Sequence, residues 1–73
     1  MYERFLLRQG GTCAICKHPP KKRRLAVDHD HKTGKVRGLL CFRCNYALGY
    51  WYDRIELLNA AAEYLTCHLN AAK

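Results

Sequence analysis

The sequence predicts one small α+β domain, in which a β-hairpin lies between two cysteine pairs and a helix flanks each end. The chain has 73 residues, so one domain is the upper limit. Two short apolar runs surround a glycine-containing turn, which is typical of a hairpin. Apolar side chains recur at helical spacing in the last third of the sequence. Together these features predict a treble-clef-like order of knuckle, hairpin and helix.

The first elements are a short helix, a cysteine turn and a strand. Residues Tyr2 to Gln9 predict an amphipathic helix, which Gly10-Gly11 stops. The segment Cys13 to Cys16 is too tight for a helix and predicts a knuckle, and Pro19-Pro20 ends that element. Residues Arg24 to His29 are rich in apolar side chains and predict the first strand.

The next elements complete the hairpin and begin a second helix. Residues Val36 to Leu40 predict the second strand, and Lys32 to Lys35 form the connecting turn. The segment Cys41 to Cys44 is a second knuckle, and Asn45 directly after it is expected to cap a short helix. We expect Gly49 to end or bend this helix.

The last element is a longer helix. Asp53 with Glu56 three residues later has the spacing of a capping box. We expect Cys67 to be a small buried residue on this helix. An apolar stripe is expected to belong to the core and to cover the hairpin; it consists of Ile55, Leu58, Ala62, Leu65 and Leu69.

Positive charge is concentrated in the N-terminal part of the chain. The formal net charge is +7, and residues 1–44 hold 11 basic but only 3 acidic side chains. Such a distribution suits a polyanion and indicates a nucleic-acid partner. The alternative is a solvated basic face that only maintains solubility. The candidate nucleic-acid-binding residues are Lys21, Lys22, Arg23, Arg24, Lys32, Lys35, Arg37 and Arg43.

Composition excludes two classes of protein. The longest apolar run is only a few residues, far below the roughly 20 needed to span a bilayer, so no membrane association is expected. The sequence contains no serine, which removes hydrolases with a serine nucleophile.

The five cysteines predict a structural metal site. An odd number cannot pair fully within the chain, and two pairs have the Cys-x2-Cys spacing that lets both thiolates face one tetrahedral ion. Two disulfides or free thiols are the alternative, and His18 and His68 are expected to be surface residues. Four protein ligands leave the ion no open position for catalysis. The expected Zn²⁺ ligands are Cys13, Cys16, Cys41 and Cys44.

The segment Asp28-His29-Asp30-His31, together with Asn45, suggests phosphodiester hydrolysis. This reaction needs a base for water, hard oxygen ligands for a divalent cation, and cations for the phosphate. Strict strand alternation would place Asp28 and His29 on opposite faces, so a shared site requires the strand to end or twist there. The alternative is an exposed turn whose histidines have no chemical role.

Three motifs carry a resemblance to a known family. They are Gly10-Gly11-x-Cys-Ala-Ile-Cys16, Val27-Asp-His-Asp-His31 and Thr33-Gly34-x-Val-Arg-Gly-Leu-Leu-Cys-x-Arg-Cys-Asn45. With them the chain resembles the phage recombination endonuclease VII family of HNH, or ββα-metal, nucleases. The resemblance spans most of the sequence.

The resemblance implies a role for each candidate residue. Asp28 and Asn45 would hold a catalytic Mg²⁺ or Mn²⁺, His29 would be the general base, and His31 would contact phosphate or substrate. The four paired cysteines would bind structural Zn²⁺. Leu48 stands where some members carry an acidic residue, so a third acidic group is not expected.

The sequence therefore predicts a small zinc-stapled ββα-metal domain, a single HNH nuclease unit over residues 1–73, that cuts DNA. The alternative function is a non-catalytic, zinc-dependent nucleic-acid-binding module. We expect a monomer or weak dimer, alone or within a larger phage complex, in the cytoplasm of a bacterial host.

Overall fold

A computed structural model describes residues 1–71, and side chains through residue 69. This part of the chain is a mixed α/β structure with two antiparallel strands and three helices. The elements are α1 (Tyr2–Arg8), β1 (Ala26–His29), β2 (Val36–Leu40), α2 (Phe42–Tyr50) and α3 (Ile55–Ala71). The predicted order of helix, hairpin and two helices is confirmed, and the first strand begins two residues later than expected.

The two strands pair in a register that changes near the turn. Ala26 lies opposite Leu40 and Asp28 opposite Gly38, but His29 lies opposite Val36. Arg37 is therefore an extra residue on β2, which makes the irregularity a β-bulge. A bulge bends the strand and increases its local twist, so regular alternation ends between Asp28 and His29.

Helix α1 is held against β2 through the side-chain amide of Gln9. Its Nε2 donates to the carbonyl oxygens of Thr12, at 2.8 Å, and Leu39, at 2.9 Å, and its Oε1 accepts from the Leu39 N–H at 2.9 Å. A Cβ at position 38 would lie only 3.2 Å from Gln9 Oε1. Gly38 therefore gives the amide room to reach the strand.

The core of the described residues is small and includes a cysteine. Its buried apolar members are Cys13, Leu25, Leu39 and Leu40, with α1 and the first knuckle packed around them. The Tyr2 hydroxyl donates to the Leu25 carbonyl at 2.7 Å and fixes α1 to the segment that enters β1. So few buried side chains supply little hydrophobic stabilisation, as expected for a domain of this size.

Helix α2 begins earlier than the sequence suggested, so the prediction of Asn45 as its N-cap was wrong. Cys41 is the N-cap, with extended backbone, and its Sγ accepts from the Cys44 N–H at 3.4 Å. Asn45 donates its N–H to the Cys41 carbonyl, the first full turn of the helix. The second knuckle is thus the first turn of α2, and a sulfur replaces the usual capping oxygen.

The connection from α2 to α3 is a tight left-handed turn. The N–H of Asp53 bonds to the Leu48 carbonyl and the N–H of Tyr52 to the Gly49 carbonyl, the pattern of a Schellman motif. Tyr52 and Asp53 have φ values of 51° and 58°, a region that favours glycine. Gly49 lies within α2, one residue before its end, so the alternative that it ends the helix was wrong, while the alternative that it bends the helix stays a prediction.

The predicted capping box at the start of α3 does not form. The helix begins at Ile55, and the N–H groups of Leu57 and Leu58 both donate to the carbonyl of Arg54. Glu56 Oε1 instead accepts from Arg54 Nε at 2.7 Å. The carboxylate of Asp53 is therefore available to the hairpin.

The expectation that α3 covers the hairpin was also wrong. Ile55, Leu65 and Leu69 are 69%, 61% and 63% exposed, and Cys67 is exposed rather than buried. The Cα radius of gyration is 14.5 Å, against roughly 11 Å for a compact chain of this length. Helical spacing predicts which residues share a face, but it does not identify what covers that face.

Among the described residues, no helix is both long and apolar enough to cross a membrane.

Replacing Gln9 with alanine should loosen α1 from the hairpin. The Leu39 N–H loses this hydrogen-bond partner, so we expect the free energy of unfolding to fall by about 1–3 kcal/mol. Thermal unfolding in zinc-saturated buffer measures the change. The control is Leu7→Ala on the same helix, whose side chain is 85% exposed and whose loss should cost under ~0.5 kcal/mol. Equal stability of the two variants would contradict the role of Gln9.

Candidate functional site

The end of the hairpin holds an ion pair between a buried carboxylate and a more exposed guanidinium. Asp28 is only 8% exposed, and both of its carboxylate oxygens face Arg37: Nε donates to Oδ2 at 2.7 Å and Nη2 to Oδ1 at 3.0 Å. This two-point geometry is the strong form of the arginine–carboxylate pair. The hydrogen bond with Asp28 raises the pKa of Arg37 above its usual value. Asp28 is thus a carboxylate held in a fixed orientation toward a cation.

The bulge gives neighbouring residues of β1 different environments. Asp28 is buried and lies opposite Gly38, whereas His29 is exposed and lies opposite Val36, after the register change. The requirement that the strand end or twist between these two residues is met. The extra residue that produces the change is Arg37, the partner of Asp28.

Asp53 joins this cluster from a distant part of the chain. Its Oδ2 accepts from Arg37 Nη2 at 3.2 Å and lies 3.7 Å from His31 Nε2. The capping-box spacing predicts a helix cap at Asp53 and does not predict this position. The left-handed turn directs Asp53 toward the hairpin, and Tyr52, a bulky residue with positive φ, leaves no recognisable sequence signal for this turn.

Asp30 has a structural task in the turn. Its Oδ1 accepts from the backbone N–H groups of Lys32, at 2.8 Å, and Thr33, at 3.1 Å, which forms an Asx turn. These two hydrogen bonds lower the pKa of Asp30 below its usual value. The second acidic residue of the Asp-His-Asp-His segment therefore shapes the turn.

A cleft lies beside the hairpin, and His31 lines it, whereas Asn45 is not among its lining residues. The cleft has a volume of about 680 Å³, and its walls include His31, Arg37 and Asp53. Asn45 lies on α2, exposed, one residue after Cys44. Helix α2 packs against both strands, so the element that carries Asn45 lies against the hairpin that carries Asp28.

The four paired cysteines converge on one point. All four Sγ atoms lie within 4.8 Å of one another, and Cys16 Sγ lies 3.8 Å from Cys41 Sγ. Tetrahedral zinc with Zn–S bonds near 2.3 Å places its sulfurs roughly 3.8 Å apart. A disulfide needs about 2.05 Å, so this geometry fits a metal and not the disulfide alternative. Cys67 lies outside the cluster and is exposed.

Proton binding by the cluster also fits a metal centre. Burial raises the pKa of the Cys13 thiol, but backbone N–H groups, including those of Ile15 and Cys16, outweigh it and lower that pKa to about 6. Burial, together with the neighbouring cysteines, raises the pKa of Cys44 to about 12. Cys13 therefore loses its proton readily, whereas deprotonation of Cys44 is unfavourable. A bound cation would stabilise the thiolate form of Cys44.

The basic residues lie in several environments. Lys21 and Lys22 line a second cavity of about 490 Å³ together with Arg43, next to the cysteine cluster. The guanidinium of Arg24 lies over the Tyr2 ring at 4.1 Å. Arg37 is engaged by two carboxylates, unlike the exposed turn residues Lys32 and Lys35.

The fold and these sites define a small basic domain with a four-cysteine centre suited to a structural metal such as zinc, next to a polar cluster on a bulged hairpin. The chain belongs to the recombination endonuclease VII family, whose model matches residues 1–67. The family resemblance of the sequence motifs is thereby confirmed.

Two relatives come from mycobacteriophages. The chain is 61% identical over 59 residues to the Gene 59 protein of Mycobacterium phage L5. It is 59% identical over 59 residues to the Gene 59 protein of Mycobacterium phage D29. Each match covers 78% of this chain but 36% of the relative, so the chain spans about a third of their length.

Metal content should depend on the cluster and not on the fifth cysteine. We expect one zinc per chain in the parent and in Cys67→Ser. Cys13→Ser should lose zinc and unfold, because structural zinc contributes on the order of 10 kcal/mol. Elemental analysis of gel-filtered protein measures the metal, and circular dichroism measures folding. A folded Cys13→Ser variant with unchanged zinc would contradict the assignment.

Proposed function

We propose that this chain is a DNA endonuclease of the HNH type that needs a divalent metal and hydrolyses phosphodiester bonds. The observation that carries the proposal is the contrast at the bulge between a buried, oriented Asp28 and an exposed His29 beside it. A metal ligand benefits from a fixed position, and a general base requires access to water and substrate. Family membership over residues 1–67 supports the same reaction class.

His29 is the general base in this proposal. A neutral imidazole nitrogen can take a proton from water, which is the task of a general base. His29 ends β1 and is exposed, where a water molecule can reach its ring. It removes a proton from the water that attacks phosphorus, and the bond to the 3′ oxygen breaks to leave a 5′ phosphate.

Asp28 and Asn45 would hold the divalent ion. A carboxylate and an amide are the hard oxygen ligands that Mg²⁺ or Mn²⁺ takes, and two protein ligands leave positions for water and phosphate. Asp28 fits this role because its carboxylate already faces a cationic group. When bound, the ion would stabilise negative charge on the leaving oxygen.

Arg37 and Asp53 adapt the site to that ion. Asp53 accepts a hydrogen bond from the same guanidinium that holds Asp28. Arg37 can therefore release an oxygen of Asp28 while it keeps a carboxylate partner. His31, 3.7 Å from Asp53, is 79% exposed and is positioned to contact phosphate.

DNA is held by the basic segment and the turn in this proposal. Lys21, Lys22, Lys32 and Lys35 are exposed, and each can meet a backbone phosphate. Phosphate contacts carry no sequence information, so binding should be weakly specific and strongly salt-dependent.

Replacing the base should slow nicking strongly without unfolding the protein. His29→Ala is expected to nick supercoiled plasmid about 10²–10⁴-fold more slowly than the parent with Mg²⁺, because the general base is lost. Conversion to open circles on agarose gels measures the rate, with EDTA as the metal control. His68→Ala, which removes an exposed histidine on α3, should nick at the parent rate.

Two results would reject the proposed mechanism. Equal nicking by His29→Ala and the parent would remove His29 as the base. A zinc-loaded parent that binds DNA but never nicks it would favour the alternative of a non-catalytic nucleic-acid-binding module.

Salt titration tests the phosphate contacts separately. The double variant Lys21→Ala, Lys22→Ala should lower the magnitude of the slope of log affinity against log salt by about two. Each phosphate contact contributes about 0.9 to that slope. Fluorescence anisotropy with duplex DNA measures it. The charge-conserving variant Lys21→Arg, Lys22→Arg is the control and should keep the parent slope. An unchanged slope in the alanine variant would place these lysines outside the interface.

A further inference from the structure

Three exposed rings form a row along α2. Phe42, Tyr46 and Tyr50 are spaced four residues apart and are 57%, 62% and 69% exposed. Neighbouring ring centroids lie 6.0 Å apart in both steps, with interplanar angles of 24° and 36°. We call these three residues the aromatic ladder. The core contacts of α2 are made instead by Cys44 and Leu48, so core packing does not explain the ladder.

One end of the aromatic ladder is cationic. The guanidinium of Arg23 lies over the Phe42 ring, 4.6 Å from its centroid. Phe42 also borders the cavity that Lys21, Lys22 and Arg43 line. The ladder therefore extends from a group of positive charges along an exposed helix face.

This combination suits unpaired nucleotides. In a duplex the base faces are stacked on one another, and the backbone presents only sugars and phosphates. An unpaired strand exposes base faces, which stack on aromatic side chains while phosphates meet lysine and arginine. Rings 6.0 Å apart also exceed the ~3.4 Å rise per base of B-DNA, so the ladder matches an unstacked strand.

We propose that the aromatic ladder binds single-stranded DNA, with unpaired bases on Tyr46 and Tyr50 and the backbone at the cationic end near Phe42. The inference rests on the proposed function, because it takes DNA as the substrate. It adds that DNA with an unpaired segment binds better than a continuous duplex. Asn45 precedes Tyr46 on the same helix, so a strand on the ladder lies next to a residue of the proposed active site.

The test compares single-stranded and duplex DNA on the zinc-loaded 73-residue chain without Mg²⁺. The probe is a labelled, unstructured oligonucleotide of about 16 nucleotides, the upper end of common site sizes, and its duplex. Tyr46→Leu should weaken single-strand binding about fivefold or more. Duplex affinity should change by less than about twofold, because phosphate contacts dominate it. The control is Tyr64→Leu, which removes a 74% exposed tyrosine on α3 and should change neither affinity.

Circular dichroism and zinc content confirm that both variants fold. Unchanged single-strand binding by Tyr46→Leu, or equal loss for both DNA forms, would overturn the inference. A second result would also overturn the inference: a parent that sediments as a dimer and a Tyr46→Leu variant that sediments as a monomer but binds DNA equally well. That result would assign the ladder to self-association. Plasmid nicking by the parent is followed in parallel. A parent that fails to nick refutes the proposed function, while ladder-dependent single-strand binding still upholds this inference.

Discussion

Four sulfur atoms within 4.8 Å of one another connect parts of the chain that share little apolar surface. Cys13 belongs to the small core, while Cys41 follows β2 directly and caps α2. One metal ion at this point would fix the first knuckle, the end of the hairpin and the start of α2. The position of Asn45 relative to Asp28 depends on that constraint, because hydrophobic burial alone is too small to hold a helix in place.

Features with short-range causes could be predicted from the sequence. Glycine and proline mark the ends of α1 and of the first knuckle, and a short, mostly apolar run from Val36 to Leu40 marks β2. The Cys-x2-Cys spacing predicts the cluster because tetrahedral geometry allows few arrangements of two tight turns. The adjacency of Asp28 and His29 identified the candidate site, since both side-chain types suit its chemistry.

Features with long-range or unusual causes could not be predicted. A cysteine is not a preferred helix cap, so the start of α2 was assigned to Asn45 and not to Cys41. Tyr52 is not a typical left-handed residue, so neither the turn nor the approach of Asp53 to Arg37 had a signal. The apolar stripe of α3 has helical spacing, but spacing does not determine burial.

The bulge on β2 has a consequence for how this site can change over generations. Arg37 is both the residue that shifts the register and the residue that pairs with Asp28. A deletion of one codon at this position would restore regular pairing and remove the guanidinium together. Substitution can alter the charge alone, but loss of the codon alters shape and charge at once.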